Sequence, residues 1–163
     1  MPKEKFPVTP AVRALRAAGI SFEPHLYAYE EKGGTQASAR ELCVDEHCVI
    51  KTLILEDEGK RPLVALMHGD FEVSTKNLAR LTGAKTIVPC APPVANRHSG
   101  YIVGGTSPFG LKRSMPLYAQ VTIADLPKMY INGGKRGFLV ALNPAEALAH
   151  LGAALLEIRA SPT

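Results

Sequence analysis

One stretch limits the fold more than any other: Val49-Ile50-Lys51-Thr52-Leu53-Ile54-Leu55. β-Branched and apolar residues fill both alternating faces, which suits a central strand covered on each side and not a surface strand with one wet face. Asp57-Glu58-Gly59-Lys60 then reads as a turn, and residues 63–67 as the hairpin return. Lys51 is out of place in this run, because an ammonium on a covered face is costly unless an anion meets it. Either its stem lies on apolar surface and its charge reaches solvent at a sheet edge, or it awaits a ligand's phosphate, carboxylate or polarised carbonyl.

Around this strand the chain alternates helix and strand signals. Thr9-Pro10 starts a helix, with a hydroxyl to cap free N–H groups and a proline at the first helical position; Val12 and Leu15 form its apolar stripe and Gly19 ends it. Residues 22–29 read as extended, Gly33-Gly34 as a break, 36–43 as a helix, 74–81 as a helix ended by Gly83, and 86–89 as a short strand. Ala91-Pro92-Pro93 reads as irregular. Residues 128–131 and 138–142 read as strands flanking Asn132-Gly133-Gly134. Asn143-Pro144-Ala145-Glu146 opens a helix to about Leu151, and 155–158 reads as a last strand. No repeat or linker interrupts the pattern, so 163 residues are expected to form a single domain with its core over 9–158 and loose ends at 1–7 and 161–163.

Composition narrows the class. An apolar fraction of 46% with 21% charged residues is that of a globular chain. Nineteen Lys and Arg against fifteen Asp and Glu give a charge of +4 and a pI near 9.0, a modest bias toward polyanions such as RNA. Cys43, Cys48 and Cys90 make no disulfide framework and no CxxC pair, which points to a reducing cytoplasm. No apolar stretch approaches the roughly 18 residues of a membrane span. The histidines His25, His47, His68, His98 and His150 have no metal-ligand spacing, and each is expected to be structural. His47, Cys48 and Cys43 do not make a thiol nucleophile and base, and neither Ser99 nor Ser107 sits in a nucleophile elbow.

Two glycine-rich turns remain. Gly104-Gly105-Thr106-Ser107-Pro108-Phe109-Gly110 brings backbone close to whatever it faces, with N–H groups able to form an anion nest, yet it matches neither a P-loop nor a dinucleotide fingerprint. Asn132-Gly133-Gly134-Lys135-Arg136-Gly137 adds two cations to similar backbone, which fits RNA contact and equally fits a solvated hairpin tip.

Taken in order, Thr9-Pro10-Ala11-Val12, Val49-Ile50-Lys51-Thr52-Leu53, the segment from Ser99-Gly100-Tyr101 to Gly110, and Gly133-Gly134-Lys135-Arg136-Gly137 resemble the YbaK/EbsC family, trans-editing relatives of the prolyl-tRNA synthetase editing domain. The resemblance spans about residues 9–158. It implies an α/β fold with a mixed, partly barrel-like β-sheet surrounded by helices, and hydrolysis of the ester between an amino acid and the 3′ end of a misacylated tRNA, without a cofactor. Cysteine on tRNA(Pro) is the first candidate substrate; alanine or another misacylated tRNA, and a non-catalytic tRNA- or synthetase-binding regulator of the same fold, are the alternatives. Implied partners are the tRNA acceptor end and prolyl-tRNA synthetase.

By position, the resemblance makes Lys51 the essential cation near the terminal ribose or its phosphate, and has Gly104 and Gly105 offer N–H groups to the scissile carbonyl. Ser107 and Pro108 shape that loop. Tyr27, Thr52, Thr106, Asn132, Gly133, Gly134, Lys135 and Arg136 join them as substrate-binding residues, with Tyr27 lining the amino-acid pocket. The chain departs from some relatives at Leu139, where they carry a polar or acidic residue, and near Gly34 and Thr35, where many carry an aromatic one. Both differences bear on which side chain is accepted.

Overall fold

The computed structural model describes residues 5–161. In chain order the strands are β1 (Glu23–Leu26), β2 (Val49–Asp57), β3 (Pro62–His68), β4 (Ile87–Pro89), β5 (Leu117–Gln120), β6 (Met129–Lys135), β7 (Phe138–Leu142) and β8 (Ala154–Leu156). All join one mixed sheet in the order β1-β7-β6-β2-β3-β5-β8, with β4 placed on β2 as a branch. Helices α1 (Pro10–Ala17), α2 (Gly34–Leu42), α3 (Thr75–Thr82), α4 (Pro92–Ser99) and α5 (Pro144–Leu151) complete the mixed α/β fold expected from the sequence.

β2 is the hub because it is apolar on both faces. Ile50 and Ile54 enter one core with Val64 and Leu66 of β3, while Leu55 enters the other with Leu63, Ala65 and Met67. One edge of β2 is fully paired with β3, from Ile50 opposite His68 to Glu56 opposite Pro62. The other edge is shared: β6 pairs only at Val49 and Ile50, and β4 only from Leu55 to Asp57. Between them the sheet forks. Cys90 N–H donates to the Ile54 carbonyl on this edge at 3.1 Å. Because backbone direction alternates along a strand, the Thr52 N–H and C=O point the same way, into the fork.

Helix caps follow the sequence closely. Thr9 Oγ1 accepts from Val12 N–H at 3.1 Å and donates to the Gly133 carbonyl, so one hydroxyl both starts α1 and ties it to β6. Ser74 caps α3 and Asn143 caps α5 through the N–H groups of Asn77 and Glu146. Three readings need correction. Pro92 and Pro93, read as part of an irregular Ala91-Pro92-Pro93 segment, instead open α4, since both occupy the first turn, where a missing N–H does no harm. β6 runs on through Asn132-Gly133-Gly134 with a register shift, and the tight turn falls at Arg136-Gly137, where Gly137 has φ +81°. Phe6 is packed and not loose, with its ring stacked on Phe138 at 5.8 Å; residues 1–4 and 162–163 of the expected loose ends lie outside the described residues.

His68, at the end of β3, is fully buried. Its Nδ1 lies 2.7 Å from the His47 carbonyl, which can only accept, so Nδ1 carries the proton and Nε2 accepts from the Thr122 hydroxyl at 2.7 Å. Burial holds its pKa below the ordinary histidine value. As pH falls through about 6.5 the unfolded chain takes up a proton at this residue while the folded chain does not, so stability declines toward acid. Tm is therefore expected to fall between pH 7.5 and 5.5, and NMR titration is expected to find the His68 ring protonating below the ordinary histidine range. Thr9→Val removes a cap and strands a buried carbonyl; urea unfolding is expected to show a loss of about 1–3 kcal/mol.

Candidate active site

The fork in the sheet opens into a cavity of about 770 Å³. Lys51 and Thr52 of β2 line it together with Tyr27, Gly104, Thr106, Asn132 and Arg136. Seven of the thirteen residues singled out in the sequence thus share one concave surface. The Lys51 side chain is 20% exposed, and its Nζ donates to Glu72 Oε1 at 3.2 Å. Thr52 Oγ1 is buried without a hydrogen-bond partner, and so is available to whatever occupies the space. Burial pushes the Tyr27 phenol above the usual tyrosine pKa, so it stays neutral at physiological pH.

The two glycine turns are tied to each other. Asn132 Nδ2 donates to the Gly104 carbonyl at 3.1 Å, while its Oδ1 accepts from the N–H groups of Gly134 and Lys135 at 2.7 and 3.1 Å. Arg136 Nε donates to the Val103 carbonyl at 3.0 Å, and its guanidinium lies 5.1 Å from the Tyr29 ring centre. Gly104 has φ +95°, and a β-carbon there would sit 2.7 Å from the Tyr29 hydroxyl oxygen. Only glycine suits that position.

Six expected residues do not line the cavity. Gly105 gives its N–H to the Ile102 carbonyl at 2.7 Å, and a β-carbon there would lie 2.7 Å from the Arg136 backbone nitrogen. Its role is close packing of the two turns, and the N–H expected for a substrate carbonyl is already engaged. Ser107 and Pro108 are buried inside their loop, Ser107 Oγ accepting from Phe109 N–H at 3.2 Å, which fits a shaping role and not direct contact. Gly133 lies against the Phe138 ring, Gly134 against Tyr101 and Thr9, and Lys135 is exposed outside the cavity. Sequence reasoning passed over Tyr29, Glu72 and Cys90, which the cavity includes. Glu72 lies 21 residues beyond Lys51 and no local pattern announces it.

One side-chain trio has the composition of a metal site: Glu56, Cys90 and His98 place ligand atoms within 4.8 Å of one another. Arg113 Nη1 lies 3.1 Å from His98 Nδ1, and a guanidinium can only donate. Nδ1 therefore accepts, and Nε2 carries the proton it gives to Glu56 at 2.9 Å. Binding a metal through Nε2 would move that proton to Nδ1, against Arg113. The donor set does not fit a metal. Burial, helped by the negative charge of Glu56, pushes the Cys90 thiol up to about 11, so it remains protonated at neutral pH and is a poor nucleophile.

The cavity is thus of ligand size and lined by the Lys51 ammonium, by residues of two interlocked glycine turns and by a protonated thiol. Residues 30–149 match the aminoacyl-tRNA editing domain, and the chain belongs to that family. It is 26% identical over 151 residues to EbsC of Enterococcus faecalis, described as a candidate Cys-tRNA(Pro)/Cys-tRNA(Cys) deacylase, covering 92% of each chain. It is 29% identical over 113 residues to a proline–tRNA ligase of Geotalea daltonii, 18% of whose length is covered. A crystal structure described as that of a candidate trans-editing enzyme for prolyl-tRNA synthetase superposes with a TM-score of 0.81 at 20% identity, over 95% of this chain and 100% of that one. No helix among the described residues is long and apolar enough to cross a membrane.

At neutral pH iodoacetamide is expected to modify exposed Cys43 at least about tenfold faster than Cys90, as mass spectrometry of tryptic peptides would show. Equal rates would mean that the cavity thiol is ionised.

Proposed function

We propose that the chain is a free-standing aminoacyl-tRNA deacylase, with cysteine on tRNA(Pro) as its first substrate and alanine as the nearest alternative. The observation that carries this reading is the sharing of one cavity by the Lys51 ammonium and both glycine turns. Its volume of about 770 Å³ falls within the roughly 300–1,000 Å³ usual for ligand sites, enough for a terminal adenosine and a small amino acid. The printed description of EbsC and the editing-domain relatives support the choice of cysteine and proline tRNA.

An aminoacyl ester is already activated, so the protein's task is positioning and charge stabilisation. Lys51 holds the terminal ribose or its phosphate. Gly104, in place of Gly105, offers backbone to the oxygen on which charge develops, and Tyr27 with Leu139 walls the amino-acid side chain. In the cysteine case the substrate's own thiol attacks the ester carbon; the ribose oxygen leaves with a proton, and water then opens the thioester ring. With alanine, water attacks directly.

Lys51→Ala is expected to lower kcat/KM for release of the amino acid by about 10²–10³-fold, while Tm stays near that of the parent, because the Glu72 carboxylate left behind is solvent-exposed. Full activity in that variant would remove Lys51 from the site. A panel of proline tRNAs charged with cysteine, alanine or serine reads selectivity in the same assay. Retention of intact charged RNA on a filter, with no amino acid released, would instead favour a binding protein that has lost turnover, the reading suggested by Leu139.

A further inference from the structure

We propose that Glu72 receives the α-ammonium of the bound aminoacyl group, and so restricts the site to RNAs whose amino acid has a free amine. The inference rests on the deacylase reading and deepens it. Three carboxylates, those of Glu30, Glu31 and Glu72, line the cavity. Glu30 is held by Arg40 at 2.7 Å. Glu72 is the one that meets Lys51, at 3.2 Å, although its side chain is 82% exposed. The two charges lie side by side at the mouth of the cavity, and among the described residues no second partner holds the carboxylate.

The substrate has the complementary pair. An aminoacyl-tRNA carries an ammonium one carbon from the ester carbonyl and phosphodiesters on the ribose side. When Lys51 turns to the ribose or phosphate oxygens, Glu72 is released next to the incoming ammonium, and each protein charge exchanges its partner for an opposite charge on the substrate. The main chain of Glu72 does not need to move. Its carbonyl accepts from Ala160 N–H at 2.8 Å, and Phe71 beside it is covered by the Arg159 guanidinium at 3.8 Å. A formylated or peptidyl amine brings no charge, and sets an amide carbonyl near a carboxylate. Such RNAs, including those carrying a growing chain, are thereby rejected.

The test uses the full chain and proline tRNA charged with whichever amino acid the panel identifies, in free-amine and N-acetylated forms. The parent is expected to favour the free amine in kcat/KM by at least about tenfold, and Glu72→Gln to lose most of that ratio while Glu72→Asp keeps part of it. The parent's preference should also fade as pH rises through about 7.7–8.0, where an α-amine loses its proton, and that of Glu72→Gln should not. An unchanged ratio in Glu72→Gln overturns the proposal, including the case where both substrates are cleaved faster, which would make Glu72 only a plug on Lys51. Cleavage of neither RNA by the parent overturns the deacylase reading and this one with it.

Discussion

Everything in the site follows from unequal pairing along the two edges of β2. β3 runs beside the whole strand, but β6 leaves after Ile50 and β4 arrives only at Leu55. A continuous neighbour on that side would have given the Thr52 main chain a partner and left no cavity. Because the edge is open, Thr52 brings a buried, unpartnered hydroxyl to the space, and Lys51 can reach Glu72 at its margin. The ammonium that looked misplaced in an apolar strand is tolerated because its charge reaches the exposed Glu72 carboxylate, 3.2 Å away.

The second constraint is the distance at which two loops can approach. Gly105 lies on the backbone of Lys135 and Arg136, and Gly133 lies on the ring of Phe138, so neither position has room for a side chain. Asn132 and Arg136 then fasten the turns through the Gly104 and Val103 carbonyls. Preorganisation of this kind fixes donors before a ligand arrives, and the ordering cost is met during folding and not during binding. The polar side chains of the second turn are thus divided in their duties: Asn132 and Arg136 face the cavity and also brace its wall, while Lys135 faces solvent.

Much of this was legible in the residues. The two-faced apolar run predicted β2, the Thr9 and Asn143 caps predicted two helix starts, the helix read over 74–81 is α3, and Lys51 stood out by its setting. What was not legible depends on long-range pairing. Nothing local shows that β4 joins β2 beyond a gap, that Asn132-Gly133-Gly134 stays within a strand, or that Glu72 returns to Lys51. The prolines at 92 and 93 suggested irregularity because proline breaks helices in the interior, whereas here both lie in the first turn of α4. Gly105 and Gly104 read alike in sequence, and it takes the structure to tell them apart: Gly105 is bonded to Ile102 and packed on Arg136, while Gly104 lines the cavity.

In the deacylation proposed above, the electrostatics of the cavity bear on which atom attacks the ester. A thiol is present in the wall, but burial and Glu56 keep Cys90 protonated, and Glu56 is itself engaged by His98. Were that thiol ionised, it could compete with water or the substrate for the ester carbon and trap the amino acid on the protein as a thioester. A protonated, inert wall leaves the choice of attacking atom to the substrate. In the proposed reaction, selectivity then comes from what the pocket admits and from the charges it aligns, and reactivity from the ester itself. Such a site gains most from rigid walls, which the interlocked turns supply.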